Sequence, residues 1–417
     1  MTGTDYGHQL KQARERHGLT QQGLADKLVE LAWVQSKQRV GVERQMISKW
    51  EREVKAPDKQ YRKLLCSLYG MTEQQLGFCS NALLSPALFE ASTIDPMFES
   101  PLDIVERLQF LSGSNVNDQT VTQLESVVDA VVEAYEMQGP AALAARVVRQ
   151  RQQVQQLLEG PQHPRQRDRL YLIAGKLSAL LGYMAVNLGK FSTATAYNRE
   201  AFQLGHIIES SDLQAWVRGT QSFCAYYAGD FRAAVDLARD GQRYAKNGPQ
   251  AVRLASNGEA RALGKLGDAR GVDEAVQRAY RLAERFEPVP GVSPCISFGL
   301  YSNARTASNA ATAYVDLGLP ERVREYADQV MPTFEASDSV WSQSLVRLDL
   351  AKSMVLSESP EPERAANLVV EALTISAERP ITSVLKRSRE FVHAASRWNE
   401  LAAVSEVAET LQIAERR

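Results

Sequence analysis

Four cysteines in 417 residues, none of them in a CxxC pair, leave little from which to build a disulfide framework or a thiolate metal site. Cys66, Cys79, Cys224 and Cys295 lie far apart, so reduced thiols in a cytoplasmic setting are expected. His8, His17, His163, His206 and His393 are equally scattered, without ligand spacing, and no metal or other cofactor is expected. No run approaches the ~18 consecutive apolar residues of a membrane span. The start, MTGTDYGHQL, lacks the apolar stretch of a secretion signal. Phosphate-binding glycine loops are missing too: LGKLGDARG at 263–271 has no Lys-Ser/Thr ending. With no convergent set of reactive groups, enzymatic activity is not expected.

What the chain does have is helical periodicity. Ala and Leu recur at helical spacings from end to end, strand-like alternation is nearly absent, and the expected class is all-α. The length calls for at least two domains. Residues 1–78 carry 13 basic against 9 acidic side chains, and the remainder carries 35 against 41. A positive head on an acidic body suits a nucleic-acid module joined to a domain of another kind. The expected boundaries are a head over 1–79, a linker and connecting helix over 80–118, and a helical array over 119–417. The linker reading rests on three prolines and weak periodicity in 80–101.

The array repeats. Helix-ending turns recur as LGKF (188–191), AGDF (228–231), LGDA (266–269) and LGLP (317–320). Small residues keep step with them: Gly182, Gly189, Ala194 and Ala201, then Ser222, Gly229, Ala234 and Gly241. Ala260, Gly267, Val272 and Ala279 continue the series, followed by Ala311, Gly318, Val323 and Val330. Two helices approach closely only where side chains are small, and the turn between them favours a left-handed residue. The pattern resembles the tetratricopeptide repeat over roughly 168–413, with a divergent hairpin around 119–159. That resemblance implies a right-handed α-solenoid of stacked hairpins.

In the head, a helix over 6–17 stops at Gly18, Thr20 caps a second from Gln21, and a third begins near Glu43 with Ile47 and Trp50 inward. Pro57 opens a fourth (58–69), Gly70 ends it, and Thr72 caps a short fifth with Leu76 inside. The strings LKQARERHGLTQQGLA and GVERQMISKWE, with Pro57 and LCSLYGMTEQQL, resemble the Cro/phage-repressor (XRE) family of helix-turn-helix proteins. The resemblance implies a structural ion pair between Arg14 and Glu51. It also implies that the third helix enters the major groove of double-stranded DNA. Arg44, Gln45, Met46, Ser48 and Lys49 would then face the duplex, with Gln21 on a phosphate and Lys49, Arg52, Lys55 and Lys59 as further phosphate partners. Two departures stand out. About 12 extra residues, AWVQSKQRVGVE, separate the second and third helices, with Lys37 and Arg39 either along the DNA backbone or folded back. Glu53 stands where the family has a turn glycine, which demands a left-handed or relaxed backbone.

Superimposing the repeats predicts one concave surface. It presents Tyr183, Asn187, Phe223, Tyr226, Tyr227, Asn257, Arg261, Lys265, Arg305 and Asn309, then Asp349. Amides of this kind satisfy a peptide backbone and guanidinium groups pair a carboxylate. PVPGVSP (288–294) is either a loop over the groove or a connector, the latter favoured. Head and body together resemble the peptide-pheromone-sensing regulators of Gram-positive bacteria (the RRNPP group) and similarly built actinomycete regulators. This implies a cytoplasmic homodimer that regulates transcription in response to a peptide or small-molecule effector. The competing reading is a scaffold whose solenoid sequesters another regulatory protein.

Overall fold

The computed structural model describes residues 6–36, 40–73, 75–78 and 99–416. Among the described residues every regular element is helical and no strand occurs. The chain forms two compact units, divided between Val105 and Glu106.

The first unit begins with α1 (Tyr6–Arg16), α2 (Gln21–Ser36), α3 (Arg44–Glu51) and α4 (Lys59–Tyr69). Local chemistry sets each boundary. Gly18 takes φ 64° after α1, and Thr20 Oγ1 accepts from Gly23 N at 3.0 Å to open α2. The Asp58 carboxylate accepts from the Gln60 and Tyr61 amides at the start of α4, and Gly70 closes it at φ 63°. The apolar faces converge on one small core: Leu10 from α1, Leu24 and Leu28 from α2, Ile47 and Trp50 from α3, Leu65 from α4. The fifth helix expected after Thr72 is instead a turn among the described residues. Thr72 and Gln75 exchange side-chain to backbone hydrogen bonds (2.8 and 3.2 Å), and Leu76 is fully buried. The expected linker, as far as residue 98, lies outside the described residues, as does Cys79.

Across the division runs α5 (Pro101–Leu111), and the second unit continues with α6 (Asp118–Leu158). A straight helix of 41 residues would be about 60 Å long. Yet Asn115, beside the first turn of α6, donates to Leu157 O at 2.9 Å. The chain therefore reverses inside α6, at Gly139 (φ 81°) and Pro140, and makes a hairpin.

Six further hairpins follow: α7 (Pro164–Asn187) with α8 (Phe191–Ile207), and α9 (Ser211–Ala228) with α10 (Phe231–Ala245). Then α11 (Gln250–Arg253), a π-helical stretch Leu254–Ala260 and α12 (Arg261–Lys265) run on as one rod that packs on α13 (Ala269–Ala283). Next come α14 (Asn303–Val315) with α15 (Pro320–Glu335), and α16 (Val340–Leu356) with α17 (Pro362–Ile375). The chain ends with α18 (Thr382–Ala394) and α19 (Ala402–Glu415), which also pack together. The repeat turns all take left-handed φ, with Gly189 at 71°, Gly229 at 94°, Gly267 at 76° and Gly318 at 66°. Small residues mark the crossings: a Cβ on Gly241 would stand 2.6 Å from Leu254 Cδ2. Among the described helices only α7 is long and apolar enough to cross a bilayer, and 83% of its apolar window is buried in this core.

The array does not stay open. Its last hairpin returns to the early ones, with α18 against α7 and Lys386 Nζ donating to Tyr227 O of α9 at 2.9 Å. Arg379 Nη1 donates to the Glu136 and Met137 carbonyls at 2.6 and 2.7 Å, across more than 240 positions of sequence. The open concave groove expected from superimposed repeats is thus a narrow internal cleft.

Candidate functional site

Two places gather chemistry-bearing side chains, one in each unit. In the first, Arg14 Nε lies 2.6 Å from Glu51 Oε1, and the two side chains are only 10% and 4% exposed. Arg14 Nη1 also donates to Leu19 O at 2.8 Å, tying the end of α1 to the start of α2. This pair fixes the angle of α3 against α1 and α2. With Ile47 and Trp50 turned inward, the opposite side of α3 is left to solvent.

There Arg44, Gln45, Ser48, Lys49 and Arg52 line one surface depression together with Gln21, Gln22, Val42 and Glu43. Three cations against one carboxylate suit a polyanion. Three residues depart from the sequence reading. Gln21 Nε2 donates to Glu51 Oε2 at 2.7 Å, so its amide is committed to the ion pair rather than held out to a phosphate. Met46 is half-buried against the core, one position before fully buried Ile47. Lys55 is exposed but lies past α3 and outside the depression. Lys59, also exposed, opens α4. Lys37 and Arg39 lie outside the described residues. Glu53 does adopt a left-handed backbone (φ 57°), and its Oε1 accepts from Gly7 N at 2.9 Å. That bond caps the start of α1 and offsets the cost of a side chain at this φ.

The second place is a cleft of about 60 Å³ between the hairpins of the larger unit. Tyr183, Asn187, Phe223, Tyr227, Asn257, Arg261, Arg305 and Asn309 all line it. Tyr183 and Phe223 stack at 4.9 Å, and Asn187 Nδ2 donates to Tyr135 OH at 2.8 Å. Asn257 Nδ2 donates to Asn309 Oδ1 at 3.1 Å, while Asn309 donates to Tyr301 OH at 2.8 Å. Two of the three amides expected to grip a peptide backbone therefore hold each other. Arg305 pairs with Glu136 and donates to Ser293 O and Ser342 Oγ.

Three expected wall residues lie elsewhere. Tyr226 packs edge-on to Phe231 with the Arg261 guanidinium 4.4 Å from its ring centre. Lys265 points away to Asp316 (2.9 Å) and Glu390 (2.7 Å), a cluster that Lys352 completes. Asp349 sits behind the wall and accepts from Arg387 with both oxygens, at 2.7 and 2.8 Å.

Sequence reasoning missed Arg253, Cys295, Tyr301, Trp341 and Arg387, all on the wall. Arg253 was within reach, being four residues before Asn257 and eight before Arg261 on the same rod. Arg387 belongs to the last hairpin, which meets the cleft only because the array closes. Cys295 and Tyr301 follow PVPGVSP in a segment with no periodicity. That segment is no bare connector: Trp216 Nε1 donates to Ser297 O (2.8 Å), Cys295 N donates to Glu136 Oε1 (2.9 Å), and the Phe298 ring packs at a tilt against Trp216.

Burial, reinforced by the Glu136 carboxylate, pushes the Cys295 thiol up to about 12. Only the thiolate is nucleophilic, so at pH 8 Cys295 is expected to react with iodoacetamide ~10³-fold more slowly than an exposed cysteine. Peptide mass mapping of native and urea-unfolded protein checks this, and rapid native labelling would contradict it. Against the raising effect of burial, Arg261 and Arg387 hold the Tyr227 phenol below its ordinary value. Among the described residues no cluster of three or more metal-binding side chains occurs.

No family model matches the chain. A comparison with curated proteins finds no match either.

Proposed function

We propose that the chain is a sequence-specific DNA-binding transcription regulator, whose first unit is a helix-turn-helix module and whose second is a closed tetratricopeptide-like array that senses an effector. The carrying observation is the polar side of α3: Arg44, Gln45, Ser48, Lys49 and Arg52 gather on one surface while Ile47 and Trp50 anchor the same helix. In this reading α3 lies in the major groove, with Arg44 suited to guanine and Gln45 to adenine. Lys49 and Arg52 supply phosphate contacts, which add affinity without reading sequence. The half-buried thioether of Met46 is left out of the base contacts. A homodimer, joined chiefly through the larger unit, would read half-sites about 34 Å or a multiple apart.

A gel shift against DNA from upstream of the protein's own coding sequence tests the reading. Arg44→Ala is expected to cost ~1–3 kcal/mol, roughly 5- to 150-fold in specific affinity. Lys49→Ala is expected to weaken all sequences alike and to lower the salt slope by about 1. Arg44→Ala binding that matches the wild type, or binding with no sequence preference at all, would favour the scaffold reading instead.

A further inference from the structure

We propose that the cleft of the larger unit binds a compact oxyanion, a carboxylate or phosphate group, held by Arg253 and Arg261. The inference rests on the effector-sensing reading only for what the bound anion would regulate. The binding stands on charge.

Four guanidinium groups line the cleft, those of Arg253, Arg261, Arg305 and Arg387, and each is at most 9% exposed. Two have carboxylate partners: Arg305 has Glu136, and Arg387 has Asp349. The other two have neutral partners only. Arg253 donates to Trp216 O (3.2 Å) and Thr220 Oγ1 (3.1 Å), with its guanidinium 4.8 Å from the Trp216 ring centre. Arg261 donates to Tyr227 OH at 2.9 Å, and its Nε is buried with no hydrogen-bond partner among the described residues. Among the described residues no carboxylate hydrogen-bonds or ion-pairs with either side chain. A guanidinium does not give up its proton in a protein. The side chains of the cleft thus hold two positive charges in excess, in surroundings where an unpaired charge is costly.

The neighbours report the same field. Burial pulls the Arg253 guanidinium below its ordinary value, and Tyr227 between Arg261 and Arg387 is shifted toward the phenolate. The geometry is suited to a small group. The cleft, about 60 Å³, has room for a group as small as a carboxylate or phosphate. Arg253 and Arg261 flank the π-helical stretch Leu254–Ala260, which sets their relative rotation, and such irregularities are frequent at functional sites. The planar donor fork of arginine matches an oxyanion in two bonds at once.

Isothermal titration of the full chain, with chloride at matched ionic strength as reference, provides the test. The probes are inorganic phosphate, acetate, and trialanine with a free or an amidated carboxyl end. At least one of the three oxyanion probes is expected to bind at one per chain with Kd on the order of 1 mM or tighter. The amidated peptide is expected not to bind. Arg261→Gln and Arg253→Gln, checked for folding by circular dichroism, should each weaken binding roughly tenfold or more. Phosphate binding more tightly than acetate would identify a phosphorylated ligand, and free trialanine binding more tightly would identify a chain terminus. Both support the proposal. Absence of binding by all three probes to wild-type protein overturns it without recourse to a variant, as does undiminished binding in both variants. The gel shift on the same preparation reads the DNA function separately, so a silent titration beside a specific shift sinks this inference alone.

Discussion

Glu51→Ala is expected to remove about 3–5 kcal/mol from the amino-terminal unit, because it strands the buried Arg14 guanidinium without its charge partner. Glu51 accepts from Arg14 at 2.6 and 3.3 Å and from Gln21 at 2.7 Å, so one truncation leaves donors on α1 and α2 unanswered. A small core such as this one has little stability in reserve. Hydrogen exchange by mass spectrometry should show faster exchange confined to residues 6–78, and specific DNA binding should fall although Glu51 does not itself line the depression. Glu51→Gln keeps an acceptor and is expected to lose less. Exchange in the alanine variant indistinguishable from wild type would mean that the pair is not what holds α3.

A loss of similar size is expected from Asp349→Ala in the larger unit. Asp349 is 4% exposed and accepts from Arg387 twice and from Thr312 Oγ1 at 2.6 Å. Its removal would leave Arg387 uncompensated beside Arg261, at a cost of about 3–5 kcal/mol. For a unit this large that corresponds to a fall of roughly 5–10 °C in Tm. The double variant Asp349→Ala/Arg387→Met should recover much of it, since removing both partners of a buried pair is often close to neutral. A single variant that melts with the wild type would show that the cleft tolerates unbalanced charge, which would also weaken the case for an anion site.

The helices of the first unit were readable because their ends are written in single residues: Gly18 and Gly70 at left-handed φ, Thr20 and Asp58 as caps. The repeat turns were readable for the same reason. Helical phase was harder to read at its margins. Met46 neighbours the buried Ile47 and falls between inward and outward, so periodicity alone does not decide its side. The resemblance gives Gln21 an outward role, but its amide donates to Glu51 at 2.7 Å. In the larger unit, Tyr183, Phe223 and Arg261 could be grouped because they occupy one position in successive copies. Arg387 and Glu136 could not, since they are brought to the cleft by contacts between the ends of the array, which no nearest-neighbour pattern encodes.

The meeting of those ends has a consequence for how the unit comes into being. An open stack of hairpins can settle copy by copy behind the ribosome, each unit resting on the one before. Here Glu136 must await Arg305, and Tyr227 must await Arg387 and Lys386, so the polar interior stays unfinished until nearly the whole chain has emerged. Ring closure over such sequence separations is slow. The nascent protein would therefore carry its arginines half-solvated for most of its synthesis, and only the last hairpin would seal them in.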